Sequence, residues 1–541
     1  MATPSLPHRP ASASSATSSD NLKQSKEEDP ELAVSSTRPA DTVEDSEAAY
    51  GPFGKLTRWL DSFGVETRSI ERVKEEERDQ ISTARLIVNQ IFFWWSVNLS
   101  FSTLGTGMLG SLYYTLDFRA SMACIWLGTA LGVATSATMA VLGPKTGLRT
   151  MAITRFVGGF PAGVFFSLIN ALCQICYGIS TAIAGGQALR AINHDLSLTV
   201  GIAILTTLVF LLCVFGYRYL HYWERYSWPT WFIIYLIVLG LGAKGDYTVD
   251  RFTQTMDTGK ALRGDVLSFF GIMFSVGSGW CSIAADYNMT LPAKTSAKVI
   301  WISSFIGMYL PIAFTCSLSA SLLTLTKESY VAAFEDNSLG GIVGEILIAG
   351  SGGFGKFLLV LLAISTISAN TPNLYSGALC LQSLHPVLLK VPRIFFVFVI
   401  YVVVLVVSIV GKEHFSEIVS NFAAILAYYT ALLASVVFLE VFYFRRAGGP
   451  LERAQGKPTN WDDVTDYSKL PIGLACIATI CCVIPFAVVG MAETWFIGPI
   501  ALMVTQPASD YGGDLGFELT AAVALLFYPI FRHLEIRFFK R

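Results

Sequence analysis

The sequence predicts an all-α membrane protein with about twelve transmembrane helices, and two observations support this prediction. Hydrophobic residues make up 53% of the 541 residues and charged residues only 14%, whereas ordinary soluble domains carry about 25% charged residues. Apolar runs of about 20 residues, the length that crosses a bilayer as a helix, recur along the chain. The composition excludes a nucleic-acid-binding protein, an acidic scaffold and a secreted disulfide-rich protein.

Residues 1–54 are predicted to form a disordered cytoplasmic tail, and residues 55–88 a cytoplasmic segment before the first span. Residues 1–50 carry four basic and nine acidic residues and no apolar run, so they cannot bury enough surface to offset their chain entropy. Because no apolar segment follows the first methionine, we expect no secretory signal peptide.

The apolar runs then place the spans in chain order. They lie near 89–114, 119–142, 163–190, 198–217, 228–243, 265–288, 299–324, 356–381, 393–411, 416–443, 470–490 and 516–536. The apolar segment 495–504 is too short to span and is predicted to be interfacial or re-entrant. Loops on the N-terminal side carry about twice as many Lys and Arg residues as the opposite loops. This bias predicts that both termini lie in the cytoplasm. We expect a multi-pass protein of the plasma membrane.

Spans one and six contain glycine at unusual density, in the segments 103–110 and 275–280. Glycine costs about 1 kcal/mol relative to alanine inside a helix, and in lipid the freed backbone groups need new partners. The two spans are the corresponding first members of two five-span halves, 89–243 and 265–443. Such a matched pair predicts an inverted-repeat transporter with a central site. Close helix packing through small residues is the alternative interpretation of either segment.

Span eight carries two amides and a proline at a depth where polar groups are costly. Asn370 and Asn373 are three residues apart and therefore share a helix face. Pro372 cannot donate a backbone hydrogen bond and frees carbonyl groups nearby. An amide offers both a donor and an acceptor, which suits the edge of a heterocycle. The segment predicts ligand recognition, with an interhelical hydrogen-bond clamp as the alternative.

Span three places Gln174, Tyr177 and Thr181 on one helix face, at spacings of three and four residues. A polar amide, an aromatic plane and a hydroxyl in one row suit a flat polar ligand. Tyr177 could oppose Trp280 of span six and form a sandwich around a planar ring. An aromatic side chain packed in a bundle core is the alternative for Tyr177.

Further short stretches occur in an order and spacing that are specific as a set. They are 64–73 with 75–78, 142–147, 184–187, 285–288 with 291–292, and 370–373. In these stretches the chain resembles the fungal purine-cytosine permease branch of the nucleobase-cation symporter-1 family, from about Gly54 to the last span. The resemblance implies a LeuT-type five-plus-five inverted repeat, with two extra helices and a short cytoplasmic C-terminus in 470–541. It also implies proton-coupled uptake of a planar nitrogenous heterocycle.

The resemblance implies roles for individual residues as well. Trp280 resembles the stacking aromatic of span six and the two span-eight amides resemble recognition residues. Together with the span-three face, the predicted substrate-binding residues are Gln174, Tyr177, Thr181, Gly279, Trp280, Asn370 and Asn373.

Candidates for the coupling site come partly from the residues and partly from the resemblance. Ser96 and Asn98 match a polar pair of span one, while Ser365 and Ser368 match span-eight hydroxyls that hold sodium in related folds. Asp286 is the acidic residue nearest the predicted site, and partial burial would raise its pKa as a proton carrier requires. A solvated or ion-paired residue at a helix end is the alternative for Asp286. We expect a proton as the coupling ion, with sodium less favoured, and no other cofactor or metal.

The predicted function is a proton-coupled symporter that imports a purine or pyrimidine base of the cytosine, adenine and hypoxanthine class, or a related planar heterocycle. Fungal relatives typically carry Trp and, four residues later, Asn where this chain has Tyr177 and Thr181. A pyridoxine-type vitamin carrier of the same fold and a non-transporting nutrient sensor therefore remain alternatives. The expected partners are a small neutral heterocycle and the lipid bilayer. No nucleophile-base or metal-ligand constellation appears, so an enzyme is not expected.

Overall fold

The computed structural model describes residues 72–78, 81–215, 226–385, 387–388 and 391–541. The predicted tail 1–54 and most of the predicted segment 55–88 lie outside the described residues. The described chain is helical almost throughout, and its two short strands, β1 (Ala492–Glu493) and β2 (Phe496–Ile497), pair antiparallel as a hairpin.

The described residues form seventeen α-helices, which are numbered here in chain order. They are α1 Thr83–Asn98, α2 Phe101–Gly107, α3 Leu109–Leu112, α4 Phe118–Thr146, α5 Thr150–Ile192, α6 Leu198–Phe215, α7 Trp228–Gly242, α8 Gly259–Ser278, α9 Ala297–Leu322, α10 Glu328–Ser351, α11 Gly353–Ser383, α12 Arg393–Gly411, α13 Phe415–Leu439, α14 Pro450–Gln455, α15 Leu474–Gly490, α16 Pro499–Thr505 and α17 Gly516–Phe539.

Ten of these helices are apolar along their length. Eight are long and apolar enough to cross a membrane, namely α4, α5, α7 with the turn that follows it, α9, α11, α12, α13 and α17. Helices α6 and α15 are shorter apolar helices. The interrupted segment α1–α3 and helix α8 correspond to the predicted spans one and six. The predicted all-α fold with about twelve spans is therefore confirmed.

The outer surface of the bundle is apolar, as a lipid-facing surface must be. Helix α12 has a mean hydropathy of 3.2, and its exposed side chains include Phe395, Phe398, Val402, Val406 and Val410. A soluble protein rarely leaves so large a contiguous apolar surface uncovered. The described chain is a multi-pass membrane protein.

The backbone of span one breaks at Leu99 and Ser100, before the glycine-rich segment. Within that segment α2 passes into α3 at Met108, whose backbone stays in the α region. The Leu99 carbonyl accepts a hydrogen bond from the Tyr235 hydroxyl at 3.4 Å, and the Phe101 amide donates to Ser365 Oγ at 3.1 Å. These contacts replace the helical partners that the break removes, as a membrane interior requires. In span six, α8 ends at Ser278 and continues as a 3₁₀ turn and irregular backbone.

Most of the glycines in the two segments serve helix packing. A Cβ atom at Gly107 would lie 2.3 Å from the Cys316 carbonyl oxygen of α9, and one at Gly277 would lie 2.6 Å from the Val133 amide of α4. Because no side chain fits in these spaces, the helices approach backbone to backbone. The packing interpretation therefore describes Gly107 and Gly277, whereas Gly279 lies at the interior cavity described below.

Each half of the chain has a bent helical segment between its second and third spans. Helix α5 kinks at Gly158 and Gly159, the latter at φ 65°, and α10 kinks at Asn337 and Ser338, the latter at φ 46°. Helix α10 is not among the predicted spans, because its acidic residues interrupt the apolar run. Helix α11 packs along α5, which brings the predicted polar residues of spans three and eight together.

A buried charge cluster ties the end of α13 to α17. The Glu440 carboxylate accepts hydrogen bonds from Arg445 Nε at 2.7 Å, from Arg532 Nε at 3.0 Å and Nη2 at 2.9 Å, and from the Tyr528 hydroxyl at 2.9 Å. Glu440 and Arg532 are both fully buried. The two extra C-terminal spans are thereby attached to the second half of the repeat.

Candidate substrate-binding site

A cavity lies where the interrupted spans one and six face α5, α11 and α13. Its volume of about 90 Å³ is well above the roughly 10–15 Å³ that a single water needs. The cavity therefore has room for a small molecule. Among the described residues, those that line it carry amides, hydroxyls and aromatic rings but no formal charge.

Trp280 lines the cavity directly after the end of α8, and its indole is held in place by α1. The indole Nε1 donates to Asn98 Oδ1 at 2.9 Å, while Asn98 Nδ2 donates to the Trp94 carbonyl at 2.9 Å. The Trp94 ring meets the Trp280 ring edge-on at 5.2 Å. The side-chain amide of Asn98 thus orients Trp280, and Asn98 acts on the cavity both as a wall and as a positioning residue.

Tyr177 lies across the cavity on α5, but another aromatic ring is its direct neighbour. Phe422 of α13 meets the Tyr177 ring edge-on at 5.0 Å. A Cβ atom at Gly279 would lie only 2.0 Å from the Tyr177 hydroxyl oxygen, so this hydroxyl is in contact with the backbone of span six. Trp280 and Tyr177 both line the cavity, and glycine at position 279 is what makes room for the tyrosine.

The predicted amides occupy two different positions. Gln174 and Asn373 line the cavity, as does Thr181. Gln174 Nε2 donates to Asn170 Oδ1 at 3.1 Å, and its buried Oε1 has no hydrogen-bond partner within the described part of the chain. Asn370 lies outside the lining, where its Nδ2 is 3.5 Å from the Gly178 carbonyl of α5. This contact is of the interhelical kind that the sequence offers as an alternative for Asn370, but its buried Oδ1 has no hydrogen-bond partner among the described residues. A recognition role for Asn370 stays a prediction.

The candidate coupling hydroxyls mostly support the broken backbone. Ser96 Oγ accepts from the Trp228 amide at 3.2 Å. Ser365 Oγ donates to the Leu362 carbonyl at 2.6 Å and accepts from the Phe101 amide of α2. Ser368 is buried on the same helix. Ser96 and Ser365 connect span one to its neighbours, one on each side of the break.

Asp286 lies beside a second, smaller cavity that shares Ile283 with the first. Its Oδ1 accepts from the Thr150 amide at 2.8 Å, and its Oδ2 is 3.8 Å from Arg149 Nη1. Both partners belong to the start of α5, while Asp286 follows the unwound part of span six. This ion pair joins the two halves of the repeat on the side of the cavity where α5 begins.

Sequence reasoning missed the wall that α13 contributes. Val419, Phe422, Ala423 and Leu426 line the cavity from this helix. Their spacing of three, four and seven residues is the pattern of one helix face, so the signal was present in the sequence. It passed unnoticed because apolar residues surround it on every face of a membrane helix.

Comparison with known proteins identifies the family of this chain. Residues 73–498 match the family model described as permease for cytosine/purines, uracil, thiamine and allantoin. The chain belongs to this permease family. The predicted resemblance is thereby confirmed, and membership in a permease family makes the chain a transporter rather than an enzyme.

Relatives within the family match nearly end to end. The chain is 31% identical to the purine-cytosine permease FCY2 of Saccharomyces cerevisiae, over 92% of this chain and 91% of that protein. It is also 31% identical to the purine-cytosine permease fcyB of Emericella nidulans, over 93% and 94%. The vitamin B6 transporter TPN1 of Saccharomyces cerevisiae is 29% identical, over 90% of each chain.

A solved structure shares the fold of this permease family member. Mhp1, a nucleobase-cation-symport-1 family transporter in a closed conformation with bromovinylhydantoin bound, superposes with a TM-score of 0.65 at 14% identity. The match covers 88% of this chain and 97% of Mhp1. The LeuT-type architecture that the resemblance implies is therefore confirmed for this chain.

Proposed function

We propose that this permease imports a planar nitrogenous heterocycle of the purine and pyrimidine base class by proton-coupled alternating access. Its place would be the plasma membrane, with both termini in the cytoplasm as the Lys and Arg bias predicts. The observation that carries the proposal is the uncharged cavity, in which an oriented indole faces amides and hydroxyls. Such a lining suits a neutral, flat, hydrogen-bonding molecule better than an ion.

In this proposal each cavity residue acts on a different part of the ligand. Trp280 stacks on the face of the ring, and Tyr177 closes the opposite side with its ring edge and hydroxyl. Gln174 and Asn373 bond the edge of the heterocycle, and the unpartnered Gln174 Oε1 is an acceptor available to a ring N–H. Thr181 supplies a further hydroxyl. Asn370 holds α11 against α5 behind the cavity and acts on the ligand through that contact.

We propose that the coupling ion is a proton and that Asp286, near the cavity, is the residue that carries it. The carboxylate is joined to Arg149 across the smaller cavity. Protonation would neutralise Asp286, weaken the pair and let the start of α5 separate from span six. Since hydroxyls do not titrate in this range, Ser96, Ser365 and Ser368 would orient the backbone or a water and not carry the proton.

Uptake measurements test the proposal. Cells that lack their own carriers would express the chain and receive radiolabelled cytosine, adenine, hypoxanthine or pyridoxine. We expect saturable accumulation of a base that a protonophore abolishes. Accumulation of pyridoxine alone would establish the vitamin carrier, which the hydroxyls of Tyr177 and Thr181 and the likeness to TPN1 favour as second candidate. Specific binding without accumulation would contradict transport and indicate a sensor.

The span-three pair provides a sharper test of selectivity. The double variant Tyr177→Trp with Thr181→Asn restores the residue types that fungal purine-cytosine permeases typically carry. We expect the preference to shift towards cytosine and purines, because the larger ring stacks better and an amide offers a paired donor and acceptor. An unchanged ranking of the four substrates would refute a role for this pair in selectivity.

A further inference from the structure

The β1–β2 hairpin, which joins the two extra C-terminal spans, is fastened to the half of α13 that covers the cavity. Asn421 Nδ2 donates to Thr494 Oγ1 at 2.8 Å, and the Thr494 amide donates to Asn421 Oδ1 at 3.4 Å. Thr494 Oγ1 also donates to Glu417 Oε1 at 3.3 Å. These α13 residues lie within one turn of the wall residues Val419 and Phe422. A movement of the hairpin would therefore displace the α13 residues that line the cavity.

Two buried carboxylates lie at this hairpin, Glu493 within it and Asp514 packed against it. Asp514 is 4% exposed and accepts hydrogen bonds from the Tyr428 hydroxyl, from the Ala492 amide at 3.0 Å and from the Gly516 amide at 2.8 Å. Glu493 follows Ala492 in β1, is 1% exposed, and has a buried Oε1 without a hydrogen-bond partner among the described residues. One carboxylate is thus fully coordinated by donors, and its neighbour is not.

The surroundings of the pair are acidic and phenolic. The titratable groups that act on Glu493 and Asp514 are Tyr114, Tyr428 and Tyr511 together with Glu518 at the start of α17, and Asp265 of α8 acts on Tyr511. Within the described ranges, no Lys, Arg or His forms an ion pair with either carboxylate. Two buried negative charges without a cation are too costly to persist. The pair must therefore hold a proton.

The hydrogen bonds indicate which carboxylate holds it. Burial, and then repulsion by Asp514, raise the pKa of Glu493 to about 9. Burial also raises the pKa of Asp514, but the hydrogen bonds from Tyr428, Ala492 and Gly516 favour its ionised form. The two groups titrate as a coupled pair, in which the proton belongs mainly to Glu493 at neutral pH.

We propose that Glu493 and Asp514 form a proton-binding site that fastens the hairpin to α13 and so sets the closure of the cavity. When Glu493 releases its proton, a second negative charge appears beside Asp514, and the repulsion pushes the hairpin away from α13. Proton binding by the pair closes the α13 wall over the ligand. The regulatory part of this inference rests on the proposed transport function; the proton site itself does not.

The proton site is tested without any substrate. Full-length protein in lipid nanodiscs is unfolded thermally at pH values between 5 and 9. The pKa of Glu493 is higher in the folded chain than the value of 4.5 expected when unfolded, so in this range the unfolded state binds fewer protons and stability falls as pH rises. Glu493→Gln removes this titration and should flatten the decline. A decline as steep as in the wild type would overturn the proposal.

Transport supplies the second readout. Wild-type uptake should fall between pH 6 and pH 9.5, partly through the coupling proton and partly because Glu493, with a pKa of about 9, loses its proton. Glu493→Gln, which mimics the protonated side chain, should keep only the first part of this fall, so its ratio of uptake should be clearly smaller than that of the wild type. Glu417→Gln is the matched control, because it contacts the same Thr494 but is 44% exposed, and it should keep the wild-type ratio. A wild-type ratio in Glu493→Gln would refute the regulatory role.

A second variant protects the test against misfolding. Asp514→Asn keeps an acceptor for Tyr428 but removes the charge that raises the pKa of Glu493, so the decline in stability should move to lower pH. An unmoved decline would contradict the coupling between the two groups. If no heterocycle is accumulated by any variant while the stability profiles differ as described, the proposed function fails and the proton site stands.

Discussion

Gly279→Ala is the change that most directly tests how the cavity is built. A Cβ atom at this position would lie 2.0 Å from the Tyr177 hydroxyl oxygen, 3.1 Å from the Tyr177 ring carbon that carries it, and 3.3 Å from Leu426 Cδ2. Real Cβ atoms do not approach so closely, so the tyrosine must move. Phe422 stands edge-on at 5.0 Å and limits that movement. The substitution therefore disturbs the cavity from inside without changing any polar group.

The contact distances set the size of the effect. Forcing an extra methyl group into a packed interior costs about 1–3 kcal/mol, which corresponds to a roughly 5- to 150-fold rise in KM if the strain falls on the bound state. Tyr177→Phe removes the atom at 2.0 Å and leaves the ring carbon at 3.1 Å. Combining it with Gly279→Ala should therefore recover part of the loss, and the two changes should be non-additive in a double-mutant cycle.

Saturable uptake of the accepted radiolabelled heterocycle measures the effect, with surface expression quantified for each variant. Gly271→Ala is the matched control in the same span, because its Cβ would meet Phe517 at an ordinary 3.5 Å. The reasoning is refuted if Gly279→Ala has the KM of this control. It is equally refuted if the two changes are additive, that is, if Tyr177→Phe has the same effect on KM in the Gly279→Ala background as in the wild type.

Two further changes test the supports of the site. Asn98→Ala removes the acceptor of the Trp280 Nε1–H at 2.9 Å. Because an unpaired buried donor costs about 1–3 kcal/mol, KM should rise while surface expression stays unchanged. An unchanged KM would exclude the positioning role. Glu440→Ala removes the carboxylate shared by the buried Arg532 and Arg445 and leaves Arg532 with Glu535 as its carboxylate partner. This should lower the free energy of unfolding by about 3–5 kcal/mol, seen as a lower apparent Tm. Asp250→Ala, in an exposed ion pair, should leave Tm near the wild type, and equal shifts would contradict the assignment.

In span eight, residue spacing predicts the helix face but not which residue of that face lines the cavity. Asn370 and Asn373 are three residues apart, which predicts a shared helix face, but at about 100° per residue they still differ by about 60° in direction. The cavity is narrow enough that this difference decides the outcome: Asn373 lines it and Asn370 contacts α5. Periodicity predicts a face, whereas the width of the cavity selects the residue.

The break in span one also depends on residues that are distant in the sequence. Glycine density pointed to 103–110, because glycine weakens a helix wherever it occurs. The chain instead breaks at Leu99, where Tyr235 and Ser365 from other helices offer hydrogen bonds to the freed backbone groups. A helix breaks in the membrane only where its freed backbone groups find hydrogen-bond partners, and those partners come from elsewhere in the sequence.

The sequence by itself determined the properties that are local to a segment: crossing of the bilayer, the matched interruption of spans one and six, and the polar residues at depth. These follow from run length and residue type, which need no knowledge of neighbours. Only the tertiary structure decided which residues meet: Trp280 with Asn98, the Tyr177 hydroxyl with Gly279, α13 as a wall, and Glu493 beside Asp514. Those pairs are separated by many residues along the chain, and only close packing of the helices fixes their distances.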